Sequence, residues 1–390
     1  MQADVVIVGG AAIGASTAFA LTRAGVRNVI VVERDTTYAN SSTARSAASI
    51  RHQFSHPLNV AISQYGTEVL RHFAEHTGVA GADVSFRENG YLFLAASAAQ
   101  EAGLRASHAM QSRLGADIAL LSPSDVGARF GHLNTADLRC ATLGERGEGW
   151  FSSSALMDGF RKGAEAGGAR WYRGEAVALT LTSGRVCAVH LADGTEIGCG
   201  VLVNAAGPRA AAVAAMAGLD LPVEPRKRTN VLFICAAPPP QPERLPLLID
   251  STGVFVRWEG RGFLAGGTPL LDPPVAYDDL DPRSDEFDTV VWPALAARSP
   301  AFEAIRLAAA WAGHYAYNTL DQNAVIGPAE AVPNFLFANG FSGHGLQQSP
   351  AVGRALAEWI TAGRYLTLDM TPLGPERILR REPLTEHAII

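Results

Sequence analysis

The chain has 390 residues, 48% hydrophobic and 18% charged, with a net charge of −6 and no long block of one sign. That is enough apolar material for a substantial core in two lobes, and it argues against a nucleic-acid or anionic-membrane partner, either of which needs clustered Lys and Arg. No apolar run approaches the ~18 residues that span a bilayer, and Met1 to Asp4 leads into a strand without a basic leader, so a cytoplasmic location is expected.

The first element is the most informative. An apolar strand at residues 5–8 enters a turn of Gly9, Gly10, Ala11, Ala12, Ile13 and Gly14, followed by an Ala-rich helix and a second strand, 29–32, closed by Glu33. Residues with little or no side chain let backbone N–H groups approach a pyrophosphate while the helix turns its positive end toward that charge. Glu33 lies near the spacing of about 20 residues at which an acid reaches a ribose hydroxyl, and an acid there disfavours a 2′-phosphate. Ala11 replaces the middle glycine of G-x-G-x-x-G. The unit reads as a dinucleotide site.

A polar loop, 34–49, is long enough to wrap a ligand. Leu58, Ile62, Tyr65, Val69 and Phe73 then repeat at helical spacing, a strand is expected at 86–95, and a helix at 98–114. Ser154 opens a helix that Gly167-Gly168 stops. Short strands with turns at Ser183-Gly184 and Asp193-Gly194 lead to a second small-residue turn, Asn204-Ala-Ala-Gly207-Pro208. Residues 222–313 read as a mostly antiparallel sheet, 335–338 as a strand, 339–345 as a glycine-rich turn and 348–363 as a helix. The tail, 371–390, shows only scattered Pro and charge and is expected to pack on the surface. Cys140, Cys187, Cys199 and Cys235 form no C-x-x-C pair, so no metal site or disulfide framework is expected.

Residues 5–33, 42–46 with Ile50-Arg51, 201–208 and 340–345 together resemble the glycine/D-amino-acid and sarcosine oxidase family of FAD enzymes. The resemblance implies an α/β, two-lobed fold, with a discontinuous Rossmann-like FAD domain (1–85, 150–220 and 320–370) and an antiparallel-sheet substrate domain (86–149 and 221–319). It also implies non-covalent FAD, because neither the cysteine nor the histidine that carries the flavin covalently in some members has a counterpart here. Matching by motif assigns to FAD Gly9, Gly10, Ala12, Ile13, Gly14, Glu33 and Arg34; Thr43, Ala44, Arg45 and Ser46; Val177; Ala206 and Gly207; and Gly340, Gly343, His344, Gly345, Leu346 and Gln347. In the last group, backbone N–H groups at a helix start are expected to stabilise charge on a reduced flavin ring.

The same resemblance implies oxidation of the C–N bond of an amino acid or secondary amine (N-alkyl, cyclic, opine-like or D-amino acid) by hydride transfer to flavin N5, giving an imine that hydrolyses. Arg51 matches the carboxylate-binding arginine; Arg257, His314, Tyr315, Tyr317, His344 and Gln347 are the other expected substrate-side residues. Gln347 stands where sarcosine-type members carry a lysine, and Leu264 stands where they carry the lysine that activates dioxygen, which favours a dehydrogenase or a slow oxidase. The acceptor is dioxygen, a quinone or another redox protein, and partner subunits are an open expectation. Family relatives include a mitochondrial protein with a role in respiratory-complex assembly, so a flavoprotein with structural FAD is the main alternative. A nicotinamide dehydrogenase would use the first turn alone, and a flavin hydroxylase would show a Gly-Asp pair that Asn339-Gly340 does not provide.

Overall fold

The computed structural model describes residues 1–386, organised by two large sheets. In the first sheet the strand β1 (Gln2–Val8) runs parallel to β2 (Val29–Glu33) on one side and to Glu196–Asn204 on the other. Arg170–Arg173 extends the parallel order beyond β2, and Phe335–Asn339 extends it beyond Glu196–Asn204. Val325–Pro328 pairs antiparallel at that edge, and the hairpin Ala176–Thr182 with Arg185–Leu191 adds antiparallel to Glu196–Asn204. The β1 and β2 valines form unbroken apolar runs because both sheet faces are covered. On one side lie the helices α1 (Ala12–Arg23), α2 (Pro57–Arg71), Ser153–Ala166 and Gly345–Ala362, and on the other lie the hairpin and Ala210–Ala215.

The second sheet has the order Ile305–Asn318, Val223–Cys235, Gly262–Gly266, Phe255–Glu259, Leu247–Ile249, Tyr91–Ala95, Cys140–Gly144, Ile118–Leu121. Every neighbouring pair is antiparallel except Leu247–Ile249 with Tyr91–Ala95.

Several sequence expectations shift. The strand expected at 86–95 starts only at Tyr91, because Gly90 has φ +94° and a Cβ there would meet the Gly144 carbonyl oxygen at 2.6 Å. Ser152, not Ser154, caps the next helix, its Oγ accepting from the Ala155 N–H at 3.2 Å. The sheet expected to end near 313 runs on to Asn318, paired along Val223–Cys235. The last long helix begins at Gly345, three residues early, which places Gly345, Leu346 and Gln347 in its first turn.

The tail is corrected most. Leu373 is buried, and Arg377 donates to the buried Asp321 at 2.8 Å and to the carbonyls of Asn323 and Ala324. Glu386 is 5% exposed. Leu373, Arg377 and Glu386 anchor this segment in the interior, while Leu379 and residues 380–383 lie exposed on the surface; the last four residues, 387–390, lie outside the described ones.

Candidate active site

One cavity of about 350 Å³ runs between the two sheets, and two helix starts face it. Gly9 has φ +101°, and a Cβ on it would meet the Ala205 carbonyl oxygen at 2.3 Å; a Cβ on Gly14 would lie 1.8 Å from the Gly9 carbonyl oxygen. Bare backbone at these positions draws the start of α1 onto the end of β1. The N-cap residue of α1 makes no side-chain hydrogen bond to the helix start, although Thr43 takes the Ala12 N–H, and its first turn has no acid; Gly345–Ala362 likewise has no N-cap side-chain bond and no acid in its first turn. The two helices approach closely: a Cβ on Gly353 would meet Ser16 Oγ at 2.4 Å, and Ser16 Oγ donates to the Ser349 carbonyl at 2.7 Å. Two positive helix ends therefore face one cavity, a strong field for anionic groups.

Glu33 sits in the cavity wall, its carboxylate accepting from the Gly10 and Asp35 N–H groups, each at 2.8 Å. A Cβ on Gly10 would collide with Tyr38 Oη and Trp171 Nε1, buried polar atoms with no partner among the described residues. Burial, then the Glu33 charge, push the Tyr38 phenol up to about 12. The loop at 42–46 is tied to its surroundings: Thr43 Oγ1 accepts from the Ala12 N–H at 3.3 Å, Ser42 Oγ donates to the His314 carbonyl at 2.6 Å, and the Arg45 guanidinium donates to the Ala312 carbonyl at 2.9 Å.

At the other end, Arg51 is 2% exposed, and its guanidinium lies 4.0 Å from the centre of the Phe54 ring. It donates to the Gln53 carbonyl and, at 3.2 Å, to His344 Nε2. Its backbone N–H donates to Gln347 Oε1 at 3.0 Å. Burial, reinforced by the Arg51 charge, pushes the His344 imidazole down to about 3, so His344 is neutral with Nε2 as acceptor. Tyr315 fills the space over Gly343, where a Cβ would lie 2.5 Å from the phenol ring, and the Arg228 guanidinium stacks 4.7 Å from the Tyr315 ring centre. Arg228 is bound by both carboxylate oxygens of Asp272, at 2.7 and 2.8 Å. The roof above Arg51 is apolar: Tyr91, Leu247, Ile249 and Phe255 come from three adjacent strands.

Of the expected residues, Gly9, Ala12, Ile13, Glu33, Arg34, Thr43, Arg45, Ser46, Arg51, Ala206, Gly207, His314, Tyr315, Gly343, His344, Gly345, Leu346 and Gln347 wall this cavity. Gly10, Gly14 and Gly340 lie beneath the turns, where a Cβ would strike neighbouring atoms, and Ala44 faces outward. Val177, assigned through its backbone, follows Ala176, which lines the wall, and turns its side chain outward, 50% exposed. Arg257 is absent from the wall because Glu259 and the Ala47 carbonyl hold its guanidinium, 5.2 Å over Trp150. Tyr317, two residues past Tyr315 on the same strand, is not in the wall and lies under Arg226. Leu264 is buried opposite Arg257 and is likewise outside the wall.

Sequence reasoning missed Glu148 and Glu386, two buried carboxylates behind Arg51. Glu148 accepts from Gln53 Nε2 at 2.7 Å and from the His52 N–H, and burial pushes it up to about 7. Its glycine neighbours Gly147 and Gly149 were a faint signal of close packing. Glu386 had none.

The features together define a dinucleotide-binding oxidoreductase with a substrate chamber under a β-sheet roof. The chain belongs to the FAD dependent oxidoreductase (DAO) family, matched over residues 4–359. It is 37% identical to FAD-dependent oxidoreductase domain-containing protein 1 of Xenopus laevis, over 100% of this chain and 85% of that protein. Among solved structures it is similar to L-proline dehydrogenase from P. horikoshii, with a TM-score of 0.87 and 27% identity, covering 98% of this chain and 99% of that one. It also resembles glycine oxidase from Geobacillus kaustophilus in fold, with a TM-score of 0.82 and 22% identity, covering 96% and 98%. FAD is therefore its cofactor, and the acid-free helix starts, the side-chain-free turns and Glu33 fit that group. Among the described residues no cluster could hold a metal ion, and no helix is long and apolar enough to cross a membrane.

Proposed function

We propose that this protein oxidises the C–N bond of an amino acid or secondary amine bearing one carboxylate, with N-alkyl and cyclic compounds ahead of opine-like and D-amino acids. The observation that carries this reading is Arg51, a fully buried guanidinium in the wall of the cavity under an apolar roof. FAD, when bound, supplies the two-electron acceptor. Arg51 supplies a charge-assisted fork for the carboxylate, and Tyr91, Leu247, Ile249 and Phe255 exclude water from the apolar body of the substrate. His344 is neutral, and burial raises the Tyr315 phenol above its ordinary value, so the chamber holds both in uncharged form. Hydride transfer needs the substrate amine in its neutral form, so turnover rises with pH through the pKa of the bound amine. Asp272 already neutralises Arg228, so a second substrate carboxylate meets no uncommitted cation there, which disfavours opine-like acids.

Further parts of the reading are proposals of the same kind. The two sheets support a FAD domain of 1–85, 150–220 and 320–370 and a substrate domain of 86–149 and 221–319. No cysteine is in the cavity wall, which supports reversible FAD binding, and the electron acceptor is dioxygen, a quinone or another redox protein. Free Cys187 at the surface suits a reducing compartment such as the cytoplasm. Anaerobic mixing of the yellow holoprotein with N-methyl, cyclic and D-amino acids tests the function: bleaching of the flavin band by one of them supports it. If none bleaches the flavin, catalysis of this type is wrong and FAD is structural, as in an assembly flavoprotein.

A further inference from the structure

Arg51 does not reach the cavity on a regular element. It stands on a short irregular segment between Ser49–Ile50 and α2, in which Phe54 links the two ends. The Phe54 ring lies beneath the Arg51 guanidinium at 4.0 Å and meets the His344 ring edge-on at 5.1 Å. The next residue, Ser55, is gripped from outside the segment: its N–H and Oγ donate to Glu386 Oε1 at 2.7 and 2.6 Å. Glu386 Oε2 accepts from the His56 N–H at 3.2 Å and from Asn59 Nδ2 at 3.0 Å. One buried carboxylate, more than 300 residues away in sequence, thus organises four donors at the start of α2.

The carboxylate is held in place in turn. Asn323 Nδ2 donates to the Leu384 carbonyl at 2.6 Å, the Leu384 N–H donates to Asp321 at 2.9 Å, and Arg377 pairs with the same Asp321. Burial works against ionisation of Glu386, but the hydrogen bonds from Ser55 and Asn59 and the Arg51 charge outweigh it and bring its pKa below the ordinary value. A buried carboxylate kept ionised beside a buried guanidinium has no catalytic reach into the cavity wall, of which it is not a member.

We propose that Glu386 is a positioning residue for the substrate-carboxylate site: by fixing Ser55 and the start of α2 it sets Phe54, and through Phe54 the aim of Arg51 and His344. This rests on the reading that Arg51 anchors a substrate carboxylate.

The test uses the holoprotein and four probes, acetate and benzoate against acetamide and benzamide, with binding read from the shift of the flavin absorbance. Wild-type protein prefers the carboxylates. Glu386→Ala weakens carboxylate binding about 10-fold while leaving amide binding unchanged, and Glu386→Asp, which keeps the charge, recovers part of the loss. A purely structural role would lower thermal stability without changing the ratio of carboxylate to amide affinity. If Glu386→Ala retains FAD and its ratio matches wild type, the proposal is wrong. If Glu386→Ala does not retain FAD, Ser55→Ala decides: it removes one of the four donors, so its ratio should fall about threefold, and an unchanged ratio overturns the proposal. Wild-type protein that binds amides as well as carboxylates would overturn the Arg51 reading itself, a result visible before any variant is made.

Discussion

Two Gly→Ala substitutions of identical chemistry should act in opposite directions. At Gly14 the added methyl would lie 1.8 Å from the Gly9 carbonyl oxygen and 2.9 Å from its carbon. The obstacle is backbone at the end of β1, so no side chain can rotate away, and the start of α1 must lift by about 1 Å to reach even a tight contact. Overpacking of that kind costs about 1–3 kcal/mol, against which the better helix propensity of Ala returns about 1 kcal/mol. The larger effect falls on the cofactor, because the N–H groups at the start of α1 move off their target; FAD affinity should drop about 10²-fold. Gly103, in contrast, is exposed on the helix Ala98–Arg113 with nothing within 4 Å of an added methyl, and Gly103→Ala should stabilise the protein by about 0.5–1 kcal/mol. Thermal unfolding of apo and holo forms, with FAD titration followed by fluorescence quenching, measures both. A Gly14→Ala protein that binds FAD as tightly as wild type would refute the reasoning.

Arg51→Met removes the buried guanidinium and with it one of the influences that keep Glu386 ionised; losing about 2–5 kcal/mol of charge pairing should raise the dissociation constant for carboxylate ligands about 10²-fold or more. An unchanged constant would remove Arg51 from the site. Glu148 carries a pH signature. Burial lifts its folded pKa from 4.5 to about 7, so its neutral form contributes fully below the unfolded value, and that contribution is lost as pH rises through 7. Wild-type stability should therefore decline between pH 5 and 8 by up to about 3 kcal/mol from this group, and Glu148→Gln should flatten the decline. Denaturant titrations across that range check it, and an identical slope in the variant would count against the assignment.

The glycine spacing at Gly9, Gly10 and Gly14, the acid at Glu33 and the small-residue turn at Gly207 were legible locally, because a strand-to-helix turn that must admit a phosphate needs those residue types at those separations. The Gly343 to Gln347 turn was legible for the same reason, although its helix began three residues earlier than expected. The roles of Arg257, Tyr317, Glu148, Arg228 and Glu386 were not. Arg51 and Arg257 are the same residue type, one just past the short strand Ser49–Ile50 and one in the middle of Phe255–Glu259, yet Arg51 faces the cavity while Glu259 and Ala47 hold Arg257 away from it. Glu386 has no distinguishing neighbours in sequence, and its importance comes wholly from donors at Ser55, His56 and Asn59. Backbone conformation depends on a few consecutive side chains, so the dinucleotide turn could be read directly. Burial, charge pairing and the aim of a side chain depend on which distant segments the folded chain brings together, so the substrate end of the site was decided by tertiary contacts.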